Sequence, residues 1–216
     1  MTDTRDRLAR LDTPAMSDAL DRLGIDGQAV GIVALDRGAQ LTGRAYTVRM
    51  LPRGLSGKSV GDYIDEVPAG DVVVIDNQGR LDATVWGDIL TTVAHRDGIA
   101  GTVIDGVCRD VARAIGTGYP IYSKGRFMRT GKDRVEVSDT GRPVTVGGVQ
   151  IAPGQLLVGD EDGVVAIPAD VEDDLLDICA EIHEREAGIV ADILAGGTLA
   201  AARARHGYHA LQRSAS

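Results

Sequence analysis

The sequence predicts an α/β protein built in layers, and three observations carry that expectation. Between Asp71 and Tyr122, short β-branched runs alternate with stretches of helical period. From Arg134 onward the apolar residues recur every second position. The chain then runs into a long amphipathic segment near Val171–Leu194. Strand–helix units followed by hairpins and a terminal helix fit a layered sheet better than a bundle or a pure sandwich.

At 216 residues, a single domain is expected, with its core over about 13–195 and a mobile basic tail over 197–216. Such a chain buries roughly 70% of its unfolded surface. The single Trp, single Phe and five Tyr require an aliphatic core and leave no platform for stacking single-stranded bases. A net charge of −9 repels phosphate backbones, so nucleic acid is excluded as a partner, whereas an Arg-rich protein would be tolerated. A small anionic substrate would need a local positive pocket. Cys108 and Cys179 are too few for a disulfide scaffold or a cysteine zinc site. No apolar run approaches membrane-spanning length and the first residues are charged, so a cytoplasmic location without membrane contact is expected.

In chain order, Asp3 to Leu11 has helical composition. Thr13 as N-cap and Pro14 in the first turn mark the next helix, with Met16, Ala19, Leu20 and Leu23 on its apolar face and Gly24 as its stop. Leu41 to Met50 is extended, Pro52 to Lys58 is loop, and Ser59 to Val67 is helical. Gly57-Lys58-Ser59 invites comparison with a phosphate-binding loop, but the first glycine of that motif falls on Pro52, so the motif fails. Asp71 to Asp76 is a continuous apolar strand bounded by acids, as expected of a strand covered on both faces. Asn77 to Asp82 is loop.

The stretch from Trp86 to Asp110 organises the rest. Gly87 and Asp88 begin a helix whose apolar stripe is Ile89, Leu90, Val93 and Ala94. Thr102-Val103-Ile104 is a short buried strand ended by Asp105-Gly106, and Arg109-Asp110 opens another helix. Loops at the carboxyl ends of parallel strands bind ligands, and helix beginnings offer free N–H groups. Arg109 in a first helical turn costs roughly 0.3–1 kcal/mol against the dipole. Arg113 repeats the charge on the same face. Two explanations stand: an anionic ligand, or an exposed pair with Asp105 or Asp110. Asp88 as an N-cap and Asp110 as a first-turn acid are the matching structural readings. Cys108 reads as a buried filler rather than an activated thiol.

Tyr119 to Tyr122 is a further strand. The basic stretch with Lys124, Arg126, Arg129 and Lys132 shapes an anion site or sits in solvent, with solvent the simpler reading. Val135 to Ile151 forms an antiparallel meander cut at Asp139-Thr140-Gly141 and Gly147-Gly148. Gln155–Val158 and Val164–Ile167 are strands. The acidic loop between them lacks the closing glutamate of a calcium loop and reads as a tight hairpin. Leu175, Ile178, Cys179, Ile182, Ile189 and Ile193 share one side of the last helix. His206 and His209 lack the spacing of a helical zinc pair.

The pattern from Trp86-Gly87-Asp88-Ile89-Leu90 through Gly98 to Gly106 and on to Arg109-Asp110 resembles the RraA-like family. Met16–Leu20, Gly43–Val48 and Asp160–Val165 extend the likeness over most of the chain, and the spacing from Asp88 to Arg109-Asp110 is its specific part. The family includes class II 4-hydroxy-4-methyl-2-oxoglutarate/4-carboxy-4-hydroxy-2-oxoadipate aldolases and regulators of RNase E. The resemblance implies an αββα sandwich of the swivelling β/β/α type, assembled as a homotrimer or hexamer. It further implies cleavage of a 4-hydroxy-2-oxo acid to pyruvate through an enolate, with oxaloacetate decarboxylation as a side activity. In that reading Asp110 ligates Mg²⁺ or Mn²⁺, Arg109 stabilises the enolate, and Asp88 holds a water and moves the proton. The N–H groups of Gly87, Asp88, Ile89 and Leu90, with Arg109, bind the substrate.

The residue types suit that chemistry: a hard divalent ion takes one or two carboxylates and keeps its waters, and a guanidinium stabilises an oxyanion. One departure is Arg113, which stands where the aldolases carry an acid. A glutamate drawn from a neighbouring subunit's terminal helix would be Glu181, Glu184 or Glu186, with Glu186 the first choice. The alternative function is a non-catalytic regulator that masks Arg-rich segments of RNase E; such members tend to lack the aspartate present here as Asp110. A methyltransferase reading is discounted because no glycine-rich nucleotide loop is visible.

Overall fold

The computed structural model describes residues 11–54 and 59–208. The helix expected over Asp3 to Leu11 lies outside these residues except for Leu11, as do Leu55–Lys58 of the expected loop, and His209. The described residues fall into two compact units, one within 28–169 and one combining 11–27 with 170–208.

The larger unit is built on an eight-stranded sheet. Its strands are β1 (Val33–Ala34), β2 (Leu41–Pro52), β3 (Val72–Thr84), β4 (Gly101–Cys108), β5 (Ile121–Arg126), β6 (Val135–Thr140), β9 (Leu156–Gly159) and β10 (Val164–Ile167). A separate hairpin pairs β7 (Val144–Val146) with β8 (Val149–Ile151). The order is β1-β5-β4-β3-β2-β9-β10, with β6 pairing the far end of β2. β2, β3, β4 and β5 run parallel, and an antiparallel bridge between Gln28 and Val165 brings the two edges together into a nearly closed ring. Helices α1 (Thr13–Leu23), α2 (Asp88–Arg96), α3 (Val111–Thr117), α4 (Glu172–Leu194) and α5 (Leu199–Arg205) complete the mixed α/β chain.

All eight residues of β4 are buried, as the unbroken apolar runs foretell. Strand alternation sends Val72, Val74 and Val103 into one cluster with Tyr122, Val146 and Ile151. Val73, Ile75 and Ile104 enter a second with Trp86, Ala94 and Ala114, next to α2 and α3.

Several elements run further than their sequence signal. β4 continues through Asp105-Gly106 to Cys108, and β3 continues through the expected loop 77–82 with register shifts. Gln78 and Gly79 there adopt φ of 55° and 67°, and Asp76 Oδ1 accepts the Gln78 N–H at 3.0 Å. Asp76 and Asp105 oppose each other in register. Both are buried because cations from other strands meet them. Lys124 Nζ lies 2.6 Å from Asp105 Oδ1, and Arg49 Nε lies 3.8 Å from Asp76 Oδ2. Lys124 is therefore an ion-pair partner, not a solvated charge. The expected helix over Ser59 to Val67 reduces to a 3-10 turn, Asp62–Glu66, because Ser59 Oγ accepts the N–H groups of Gly61 and Asp62. The expected meander is divided, since β6 pairs with β2 and only β7 and β8 form a hairpin.

In the helical unit the N-cap of α1 is Asp12, not Thr13: its Oδ1 accepts the Ala15 N–H at 2.9 Å. Gly24 closes the helix at φ 71°. α1 packs on α4, with Arg22 Nη1 2.9 Å from Glu181 Oε2. The stretch expected to be a mobile tail holds α5, capped by Thr198. Asp192 Oδ2 ties it back, 2.7 Å from Arg205 Nη1 and 3.0 Å from His206 Nε2. Ile193 is exposed, so it leaves the expected apolar side. Among the described residues, no helix is long and apolar enough to cross a membrane.

Replacing Asp105 by Asn should strand the Lys124 ammonium and lower unfolding stability by about 1–3 kcal/mol. Urea denaturation reads this, and a second change, Lys124→Met, should recover part of the loss.

Candidate active site

The site grows from the carboxyl ends of β3 and β4. The Arg109 N–H donates to the Trp86 carbonyl at 2.9 Å, which lays the two outgoing segments side by side. Each then starts a helix, α2 after Gly87 and α3 after Asp110. Arg109 thus precedes α3 and is not in its first turn, so the dipole penalty expected there does not apply. Asp88 is the first residue of α2; its N-cap is Gly87.

Asp110 is the N-cap of α3 at φ 56°, yet its side chain makes no capping bond to its own helix. The carboxylate reaches across to α2, where Oδ2 accepts the Asp88 N–H at 3.3 Å. The same oxygen lies 3.2 Å from Arg109 Nε. Gly87 makes the convergence possible: a Cβ there would sit 2.7 Å from Asp110 Oδ2 and 3.3 Å from Arg109 Nε. Asp88, Arg109 and Asp110, singled out from the sequence, are therefore brought to one place with Gly87 between them.

A cleft of about 340 Å³ opens beside this convergence. It is lined by Trp86, Gly87, Asp88, Ile89, Leu90, Val93 and Arg109 together with Val60, Asp62, Ile64, Asp65 and Lys132. Ile89 is 74% exposed and faces away from the core, correcting the expected apolar stripe, while Thr91 is buried in its place. Lys132, read from sequence as solvated, lines the cleft, and so do the unforeseen Asp62 and Asp65. The signal that could have found Lys132 is the glycine before it. Gly131 packs so tightly on the Thr84 carbonyl that no side chain fits. Arg113 is exposed and lines no part of the cleft.

Among the described residues, no group of three or more His, Cys, Asp or Glu side chains is arranged for a metal. A hard divalent ion does not need one. The half-exposed Asp110 carboxylate, with Asp88 beside it, matches the one or two protein oxygens such an ion takes. The space Gly87 leaves open beside Asp110 keeps that carboxylate in place. Cys108 is no nucleophile: burial pushes its thiol up, opposed only in part by hydrogen bonding to Ser123. In the helical unit, Glu181 is occupied by Arg22 and Arg185. Glu186 is held above the usual carboxylate range by burial first and by Asp18 and Asp12 next.

A nearly closed mixed sheet, with an arginine–aspartate pair between two helix starts at its parallel strand ends, places the chain in the mixed α/β class. The RraA-like (Aldolase/RraA) family model matches residues 13–166, and the chain belongs to that family. Protein DlpA of Legionella pneumophila subsp. pneumophila is 39% identical over 94% of this chain. The chain spans only about one third of that relative's length, 33%. A Halalkalibacterium halodurans protein named "Putative 4-hydroxy-4-methyl-2-oxoglutarate aldolase" is 35% identical over 76% of both chains. The crystal structure of Streptomyces coelicolor RraAS2, described as an unusual member of the RNase ES inhibitor RraA protein family, superposes with a TM-score of 0.79. It is 30% identical, covering 87% of this chain and 95% of that one.

Two expectations follow. Gly87→Ala should displace the Asp110 carboxylate, and if that carboxylate ligates a divalent ion, weaken Mn²⁺ binding roughly 10- to 100-fold, as moving a group that orients a ligand does, in a titration followed by electron paramagnetic resonance. A thiol reagent at pH 8 should label neither buried cysteine of the folded chain and both after unfolding, because the raised Cys108 pKa and burial suppress the thiolate.

Proposed function

We propose that this chain is a divalent-metal-dependent aldolase that cleaves a 4-hydroxy-2-oxo acid, such as 4-hydroxy-4-methyl-2-oxoglutarate, to pyruvate. The observation that carries the reading is the meeting of Arg109, Asp110 and the Asp88 N–H across Gly87 at the edge of a cleft. The aldolase name of the Halalkalibacterium relative supports the reaction class.

Asp110 would hold Mg²⁺ or Mn²⁺, with Asp88 holding a water beside it; when bound, the metal supplies a Lewis acid for the carboxylate and keto oxygens of a 2-oxo acid. The chain's own residues do the rest. N–H groups in the first turn of α2, at Ile89 and Leu90, receive the substrate carboxylate. Asp88 accepts the proton of the C4 hydroxyl, directly or through a water. As the C3–C4 bond breaks, its electron pair passes into the C2–C3 bond and charge collects on the C2 oxygen. The Arg109 guanidinium faces that oxygen and stabilises it. Protonation at C3 then gives pyruvate. Lys132 offers a second cation for a distal carboxylate, and Leu90 and Val93 offer apolar contact for a methyl group. Loss of carbon dioxide from oxaloacetate forms the same enolate, so that activity should accompany the first. We place the active form in a homotrimer or hexamer, with Glu186 of the helical unit facing a neighbour's site.

The test is pyruvate release from oxaloacetate and from 4-hydroxy-4-methyl-2-oxoglutarate with Mg²⁺ or Mn²⁺. Arg109→Ala should lose roughly 100- to 1000-fold in kcat, the scale of removing one oxyanion donor, and Asp110→Ala should lose its metal dependence. Equal rates in wild type and both variants would sink the aldolase reading and favour a non-catalytic regulator.

A further inference from the structure

We infer that Thr91, a buried residue outside the cleft, is a positioning residue that sets Arg109 through Trp86 and Gly87. The inference rests on the aldolase reading and names a residue which that reading does not use.

The indole N–H of Trp86 donates to Thr91 Oγ1 at 2.9 Å, and Thr91 Oγ1 donates to the Gly87 carbonyl at 3.0 Å. The Thr91 backbone N–H donates to that carbonyl as well, at 3.0 Å. A chain of bonds therefore runs from the Trp86 side chain through Thr91 and back to the carbonyl of Gly87, the next residue after Trp86. Within it, the Gly87 carbonyl holds two donors and cannot rotate freely. One peptide back, the Trp86 carbonyl accepts the Arg109 backbone N–H at 2.9 Å and so fixes the stretch of chain from which the guanidinium extends. The Thr84 hydroxyl lies 2.9 Å from that carbonyl and accepts the Trp86 N–H at 3.3 Å. The indole also stacks on Tyr119, with centroids 6.0 Å apart and planes 2° from parallel.

Helix packing alone does not require this arrangement. A valine at 91 has the same shape and keeps the backbone bond of the helix. It leaves the buried indole N–H without its acceptor and the Gly87 carbonyl with one donor. Thr91 is 1% exposed and does not line the cleft, so its loss should spare substrate binding. The guanidinium acts on charge that appears only as the enolate forms, so a small error in its placement lowers kcat before it raises KM.

The experiment follows exchange of the pyruvate methyl protons for deuterium in heavy water with Mg²⁺, alongside emission from the single tryptophan. Thr91→Val should lower kcat roughly tenfold or more, because sub-ångström misplacement is enough, with KM within about twofold and a shifted Trp86 emission. Thr91→Ser, which keeps the hydroxyl, should restore kcat to within about threefold of wild type. A Thr91→Val enzyme with wild-type kcat, or a serine variant as slow as the valine one, would overturn the positioning role alone. Wild-type protein without exchange would overturn the reaction and the role together. If the valine variant does not fold, Trp86→Phe removes the same bond from its other end, and an undiminished kcat there counts against the role.

Discussion

The carboxylate of Asp110 does not serve the helix it begins. It crosses to the first N–H of the neighbouring helix, and that crossing bond is what the geometry of the site depends on. It needs parallel strands in adjacent positions, so that β3 and β4 end together. It needs a residue with no side chain at 87, and a tether between Arg109 and Trp86. Strand β3, Gly87 and Trp86 all lie more than twenty residues before Asp110, so the residues around Asp110 alone do not meet these requirements.

The same strands carry charge on both faces. Towards α2 and α3 stands the cleft with Arg109 and Lys132. On the opposite face Arg49, Asp76, Asp105 and Lys124 form a row in which two buried acids lie between two cations. The N–H groups of Thr145 and Gly147 approach those acids at 3.4 Å, so the β7–β8 hairpin is fastened over a polar margin. Burial of unpaired acids there would be prohibitive; as paired groups they fix which strands are neighbours.

Periodicity made most elements legible from the residues. The apolar runs of β3 and β4, the helix after Gly87, the terminal helix and the Gly24 stop are all local signals. Strand ends were not legible. Asp105 and Asn77 read as turn residues, and only cations and register from distant strands explain why the strands run on through them. Lys132 escaped for the same reason, because its place in the cleft is set by the close approach of Gly131 to Thr84. Asp88, Arg109 and Asp110 could be singled out by spacing and family resemblance. Their meeting across Gly87 could not, since it depends on a side chain that turns away from its own helix.

The left-handed backbone at Asp110 also bears on descent. Few residues other than glycine rest easily in that conformation, and asparagine and aspartate are foremost among them. An exchange of aspartate for asparagine would therefore discard the negative charge while leaving the local chain path undisturbed. If Asp110 serves as the proposed metal ligand, one such exchange would remove that ligand without dismantling the architecture, leaving the surface intact for other uses.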